Sequence, residues 1–184
     1  MRLPGRYGRR DADMRQLRRR VEARIAALDI PEPFDIDVLC DSIARRQGRP
    51  IDLRPMHEDD PAVPCGLWLQ MPSRDVILFE ASASTPHRDL IVAHELGHLL
   101  ANHPCDPRLL QEYRARVMPD LALNPDLLTR VLGRVSYTTP AEQEAELFAW
   151  LLLHRRRGGL DESRAEQDMT DPVARAIALL GPSL

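Results

Sequence analysis

The sequence predicts an α+β protein, mostly helical, with a small sheet of about three strands. Three observations lead there. Apolar residues recur at helical spacing in several long segments. Three short segments rich in β-branched and large apolar residues sit together between residues 51 and 81. Gly and Pro punctuate the boundaries.

From Asp11, the apolar positions Met14, Leu17, Val21, Ile25 and Leu28 describe one face of a first helix that ends before Pro31. Eight of the first twenty residues are arginine. Acidic residues interrupt the run, so it reads as a solvated face of a segment spanning 1–34 rather than a phosphate-binding surface. Asp35 is placed to cap a second helix with Ile36, Leu39, Cys40 and Ile43 inward, and Gly48 to stop it. The β segments are "IDLRPM" (51–56), "CGLWLQM" (65–71) and "DVILFEA" (75–81). The first two are separated by the polar loop "HEDDPAVP", and the last two flank "PSRD", a hairpin connection.

Thr85-Pro86 opens the next helix, as an N-cap followed by proline at the first helical position, and Pro104 closes it. The leucine-rich stretch 107–133 suggests two short helices, one starting at Asn124-Pro125 and stopping at Gly133, and "SYTTP" is a loop. Thr139-Pro140 begins a strongly apolar helix, "AEQEAELFAWLLLHRRR", which Gly158-Gly159 ends. A segment spanning 161–184 holds a polar linker and a last helix that starts at Thr170 or Asp171 with Pro172 and ends at Gly181. The main domain is expected over 35–160.

A chain of 184 residues with 43% hydrophobic and 29% charged residues fits one globular domain with a sizeable core. The net charge of −3 gives no general attraction to nucleic acid, and no direct nucleic-acid binding is expected. All 25 basic residues are arginine, which reads as coding bias. The three cysteines, Cys40, Cys65 and Cys105, form no CxxC pair and are odd in number, which suits a reducing cytoplasm better than a disulfide framework. The N-terminus "MRLPGRYGRR" has no apolar signal-like region, and no apolar run approaches bilayer length.

The stretch "VAHELGHLLANH" carries His94, Glu95 and His98 in the middle of an apolar helix. Burying two imidazoles and a carboxylate together is costly unless something organises them. His94 and His98 stand one turn apart on one face, so both rings can reach one ion. Zinc suits two neutral imidazoles and keeps a position open for water in catalytic sites. Glu95 is close enough to take a proton from that water as it attacks a carbonyl. Gly97, between the histidines, lets another element pass close.

A third ligand is needed. His103 is a candidate, but the metzincin pattern requires Gly at 101 and His at 104, where this chain has Ala101 and Pro104. Cys105 and Asp106 read as loop residues. A glutamate from "TPAEQEAELFAW" is the better donor. Glu142 can form a capping box with Thr139, which gives it a structural task. Glu146 shares its face with Ala149, Trp150 and Leu153. Glu144 heads the strongest apolar stripe, with Leu147, Phe148, Leu151 and Leu152, and a carboxylate buried there needs a partner such as a metal. Glu144 is therefore the expected third ligand, with Glu142 next.

The segments "HRDLIVAHELGHLL" and "EQEAELFAWLLL" together resemble the ImmA/IrrE family of zinc metallo-endopeptidases over roughly residues 35–157. The matching positions are Arg88, His94 to His98, then Glu142, Glu144, Ala145, Phe148, Ala149, Leu152 and Leu153. HELGH alone is shared by many zincins; its pairing with the second motif makes the resemblance specific. The resemblance implies a zincin-like fold, zinc on His94, His98 and Glu144, and Glu95 as general base. It further implies a helix-turn-helix repressor as the protein substrate, whose cleavage releases phage, mobile-element or stress genes. The chain departs from the family in running "LLLHRRRGG" where a proline is usual, and in the long connection between the two motifs. His154 in that region reads as a helix C-terminal cation, not a ligand.

Tyr113 and Tyr137 are candidates to polarise a scissile carbonyl, although tyrosines more often pack in cores and rims. Trp68 and Trp150 read as packing residues. A strand edge beside the active helix would hold an extended substrate. The competing readings are a metal-stabilised regulatory or toxin–antitoxin component that binds without cutting, and a DNA-binding regulator. Glu95 favours the enzyme, since a scaffold has no use for a base beside a metal.

Overall fold

A computed structural model describes residues 6–56, 65–103 and 139–155. Among them are four helices, α1 (Arg6–Ala26), α2 (Ile36–Gln47), α3 (Thr85–Ala101) and α4 (Thr139–Arg155), and three strands, β1 (Ile51–Met56), β2 (Gly66–Gln70) and β3 (Asp75–Glu80). The α+β class is the one expected. The loop at 57–64, the leucine-rich helices of 107–133, the "SYTTP" loop, the stops at Pro104 and Gly158-Gly159, and the segment 161–184 lie outside the described residues.

The Asp35 side chain accepts from the N–H groups of Asp37 (2.8 Å) and Val38 (3.0 Å) and so starts α2. Gly48, at φ 64°, ends α2 in the left-handed conformation that only glycine adopts freely. Helix α1 buries Leu17, Val21 and Ile25 on its periodic face, but Met14, expected inward, is 39% exposed.

Strands β2 and β3 form the expected antiparallel hairpin, with Trp68 opposite Ile77, and β1 joins β3 in parallel, giving the order β1-β3-β2. The hairpin turn is held by a buried polar knot. Asp75 accepts from Trp68 Nε1 (3.1 Å) and Arg49 Nε (2.6 Å), and the Arg49 guanidinium also donates to the Met71, Pro72 and Arg74 carbonyls. Trp68 is thus buried, as expected, but with its polar handle satisfied.

Helix α3 lies in the middle. Its N-cap is Ser84 rather than Thr85, one residue earlier than expected, and Ser84 makes no side-chain cap hydrogen bond; Pro86 still falls in the first turn. Arg88 anchors α3 to α2 through a bidentate pair with Asp37 (3.0 and 2.5 Å) and lies 4.9 Å over the Phe79 ring of β3. Val92, Ala93, Leu96 and Leu99 of α3 share one core with Leu17, Val21 and Ile25 of α1, Leu39 and Ile43 of α2, Trp68 and Ile77 of the sheet, and Leu147, Phe148 and Leu152 of α4.

Helices α3 and α4 come very close at Gly97. A Cβ on Gly97 would stand 2.9 Å from Ala145 Cα and 3.2 Å from its carbonyl oxygen. The two helices touch backbone to backbone at that point, as the glycine between the histidines suggested.

Substituting Gly97→Ala should therefore destabilise the protein although alanine is the better helix former. The gain in propensity is about 1 kcal/mol, whereas forcing two backbones apart costs about 1–3 kcal/mol. A lowered denaturant midpoint with an unchanged slope is the expected result. A raised midpoint would show that the contact relaxes freely.

Candidate metal centre

The centre is assembled by α3 and α4. His94 and His98 project from one face of α3, and their Nε2 atoms lie 3.0 Å apart. Glu142 reaches them from the first turn of α4, with Oε2 3.4 Å from His94 Nε2 and Oε1 3.7 Å from His98 Nε2. The donor atoms of these three side chains all lie within 4.8 Å of one another, the arrangement expected of residues that could share a metal ion. Ligands about 2.0–2.1 Å from a tetrahedral zinc ion stand about 3.3 Å from each other. The observed separations bracket that value, so the residues present fit zinc.

The sequence names Glu144 as the third donor, with Glu142 next. The structure puts Glu142 beside the histidines and Glu144, the expected ligand, elsewhere. Glu144 is buried, as its place on the apolar stripe predicted, but its partners are arginines. It accepts from Arg24 and from Arg20 (3.4 Å), both of α1, and its Oε2 is 3.5 Å from His103 Nε2. The reason is the register of α4. Ala145 is the residue against Gly97, and Glu142 is three positions earlier on the same helix face, so it points back at α3. Glu144 is rotated about 200° from Glu142 at 100° per residue and faces α1 instead. The signal was present in the sequence as the small residues Ala141, Ala145 and Ala149, the face of α4 that a glycine on α3 can meet.

The electrostatics divide the residues into distinct roles. His98 is fully buried, and burial, with His94 and His103 beside it, pushes its pKa far down. A neutral imidazole is the form that donates to a cation. Burial opposes charge on His94 too, but the hydrogen bond it donates to Glu142 and the carboxylates of Glu95, Glu142 and Glu146 outweigh it and raise its pKa. Burial also works against ionisation of Glu144, yet the hydrogen bond and charge of Arg24, with Arg20 and His103, hold its carboxyl below the ordinary range.

Glu95 sits beside this group, 5% exposed, on the side of α3 that meets β2. Burial raises its pKa to about 7 against the opposing influences of His94 and a backbone hydrogen bond from Trp68. One of its oxygens, Oε2, is buried and has no protein hydrogen-bond partner. Gly66 makes the space: a Cβ there would collide with Ile91 and come within 2.9 Å of Glu95 Oε1.

Of the remaining candidates, His103 lies next to His98 but outside the three-residue group, with Nδ1 3.0 Å from His98 Nδ1. His154 donates from Nδ1 to the Trp150 carbonyl (2.9 Å) and stacks on the Trp150 ring at 4.1 Å, a helix-end arrangement away from the centre. Cys105, Asp106, Tyr113 and Tyr137 lie outside the described residues. Compared with known protein families, with characterised proteins and with solved structures, the chain matches none. Among the described residues, no helix is long and apolar enough to cross a membrane.

Two outcomes follow. Zinc titration should show Glu142→Ala losing more affinity than Glu144→Ala, by at least about 10-fold, since loss of a donor exceeds the usual effect of a residue behind it; the reverse order would restore Glu144 as the ligand. In metal-free protein, the raised Glu95 pKa means that the folded state favours the protonated form. Its contribution to stability is present below pH 4.5 and is lost as pH rises through about 7. Denaturation midpoints of wild type and Glu95→Gln across that range should therefore diverge, the wild type falling behind as pH rises. Parallel curves would show that Glu95 is ionised throughout.

Proposed function

We propose that this chain is a zinc-dependent endopeptidase in which His94, His98 and Glu142 hold the ion and Glu95 is the general base. The observation that carries the reading is the convergence of two imidazole nitrogens and a carboxylate beside a buried glutamate with a free oxygen. Zinc held there would supply Lewis acidity toward a water and a substrate carbonyl.

The protein's own groups supply the rest. Glu95 follows His94 in the chain and feels the charges of His94 and Glu142, which supports a role in exchanging protons with water bound there. A base of pKa about 7 can both accept a proton near neutral pH and release it to a leaving amine. Burial keeps bulk water from competing for its free oxygen. Strand β2 runs past α3 and, among the described residues, is paired with a strand on one edge alone. An extended peptide laid beside that edge would be held by main-chain hydrogen bonds near Glu95.

The substrate class comes from the resemblance of "HRDLIVAHELGHLL" and "EQEAELFAWLLL" to the ImmA/IrrE endopeptidases. It implies a helix-turn-helix transcriptional repressor, cut in a flexible or extended segment. Release of gene expression, in a cytoplasmic setting, is the consequence proposed.

Protein purified without chelator should carry about one equivalent of zinc per chain. His94→Ala and His98→Ala should both abolish binding, and full stoichiometry in either variant would remove the metal centre. Glu95→Gln is nearly isosteric and keeps all three donors. It should bind zinc and a helix-turn-helix repressor encoded beside this chain's gene, but cut that repressor about 10² to 10⁴ times more slowly. Product masses after incubation decide the matter. Equal cleavage by both proteins would remove Glu95 from the mechanism, and tight partner binding with no cleavage by zinc-loaded wild type would favour a scaffold that binds without proteolysis.

A further inference from the structure

We propose that His103 is a positioning residue for the metal centre: it holds the His98 ring with its hydrogen on Nδ1, so that the Nε2 lone pair faces His94 and Glu142, and Glu144 with Arg24 holds His103 in turn. The proposal rests on the reading of His94, His98 and Glu142 as metal ligands and extends it to the side chains behind them.

The backbone brings His103 to this place. Asn102 ends α3 in the left-handed conformation at φ 52°. The chain folds back there, and the His103 N–H donates to the His98 carbonyl at 3.1 Å. The His103 ring is thereby set against the His98 ring, centroids 5.1 Å apart and planes at 72°, with Nδ1 facing Nδ1 at 3.0 Å.

Two neutral imidazoles meeting Nδ1 to Nδ1 share one hydrogen, and each choice fixes the other nitrogens. If His103 donates, His98 carries its hydrogen on Nε2. That nitrogen then has no lone pair for a cation. If His98 donates, its Nε2 lone pair faces His94 Nε2, 3.0 Å away, and His103 carries its hydrogen on Nε2. Glu142 lies nearer His94 Nε2 (3.4 Å) than His98 Nε2 (3.7 Å), so it draws the hydrogen shared by those two nitrogens to His94, and the second arrangement is the one the surroundings favour. His103 Nε2 faces Glu144 Oε2 at 3.5 Å, and a carboxylate attracts an N–H while repelling a lone pair. Glu144 is fixed from its other side by Arg24 and Arg20. A line of contacts thus runs from α1 through α4 and the end of α3 to the His98 ring. It gives the buried Glu144 and the basic face of α1 a task in the centre without either touching it.

Partners of this kind typically contribute 10–100-fold to metal affinity, because they fix the ring and raise its basicity. The test uses the full chain. Zinc dissociation constants are measured by competition with a chromophoric chelator, and histidine tautomers by long-range proton–nitrogen NMR of the metal-free protein. His103→Leu should weaken zinc binding by about 10–100-fold. His103→Asn, whose side-chain oxygen can accept from His98, should recover part of that loss, and Arg24→Met should weaken binding in the same direction by less. The wild-type spectrum should show His98 protonated on Nδ1. Thermal melts followed by circular dichroism identify any variant that fails to fold; if His103→Leu does, His103→Asn and Arg24→Met carry the comparison. Zinc affinity in folded His103→Leu within about twofold of wild type would overturn the proposal, as would a wild-type His98 protonated on Nε2. If the wild type binds no zinc, the metal reading fails, and the tautomer decides the ring arrangement by itself. Hydrogen on His98 Nδ1 in wild type, redistributed in His103→Leu, then supports positioning by His103, and any other pattern overturns it.

Discussion

The contact between Gly97 and Ala145 sets the geometry on which the rest of the structure depends. Only a residue without a Cβ lets the α4 backbone come this close to α3. Because Gly97 lies between His94 and His98, the point of closest approach falls next to the two rings. Because Ala145 lies three residues after Glu142, the same contact aims the Glu142 carboxylate at them. One packing contact thereby fixes both the helix crossing and the carboxylate that stands beside the two histidines.

The second constraint is the cost of burying charge. Around α3 the structure gathers His94, Glu95, His98 and His103, with Glu142, Glu144 and Glu146 brought in by α4. Left alone in an apolar interior, such a group would be strongly destabilising. The structure meets the cost differently at each residue. Glu144 is neutralised by arginines of α1, whereas Glu95 is left with a raised pKa and an unpartnered oxygen. His98 is held neutral by burial. A site of this kind is maintained against the tendency of a core to be uniformly apolar, and perturbed carboxylates and imidazoles of this sort concentrate where chemistry is done.

The sheet lends Trp68 and Ile77 to the core and also borders Glu95. The Arg49–Asp75–Trp68 knot fixes the β2–β3 hairpin at its turn, and Gly66 at the start of β2 leaves room for Glu95. Arg88 ties the first turns of α3 to α2 and β3, so the helix that carries His94 and His98 is held at its start by an ion pair and at its middle by backbone contact.

What the sequence determined by itself was governed by local rules. The cap at Asp35, the stop at Gly48, the β2–β3 hairpin, the inward face of α2 and, Met14 apart, that of α1 follow from residue type and spacing, and so does the shared face of His94 and His98. The burial of Glu144 was legible too, from the apolar stripe it heads. Its partner was not. A carboxylate in a core needs a countercharge, but whether that is a metal or an arginine depends on which helix lies opposite, and Arg24 is 120 residues away in the chain. Glu142 reads as a capping residue because Thr139 three residues earlier is visible in the sequence, whereas its approach to His94 and His98 is made by the packing of α4 on α3. His103 was weighed as a ligand because periodicity reports direction along a helix, whereas its position beside His98 is made by a left-handed turn after the helix ends. Spacing fixes which side chains share a face; only the packing of α1, α3 and α4 against one another decides what that face meets.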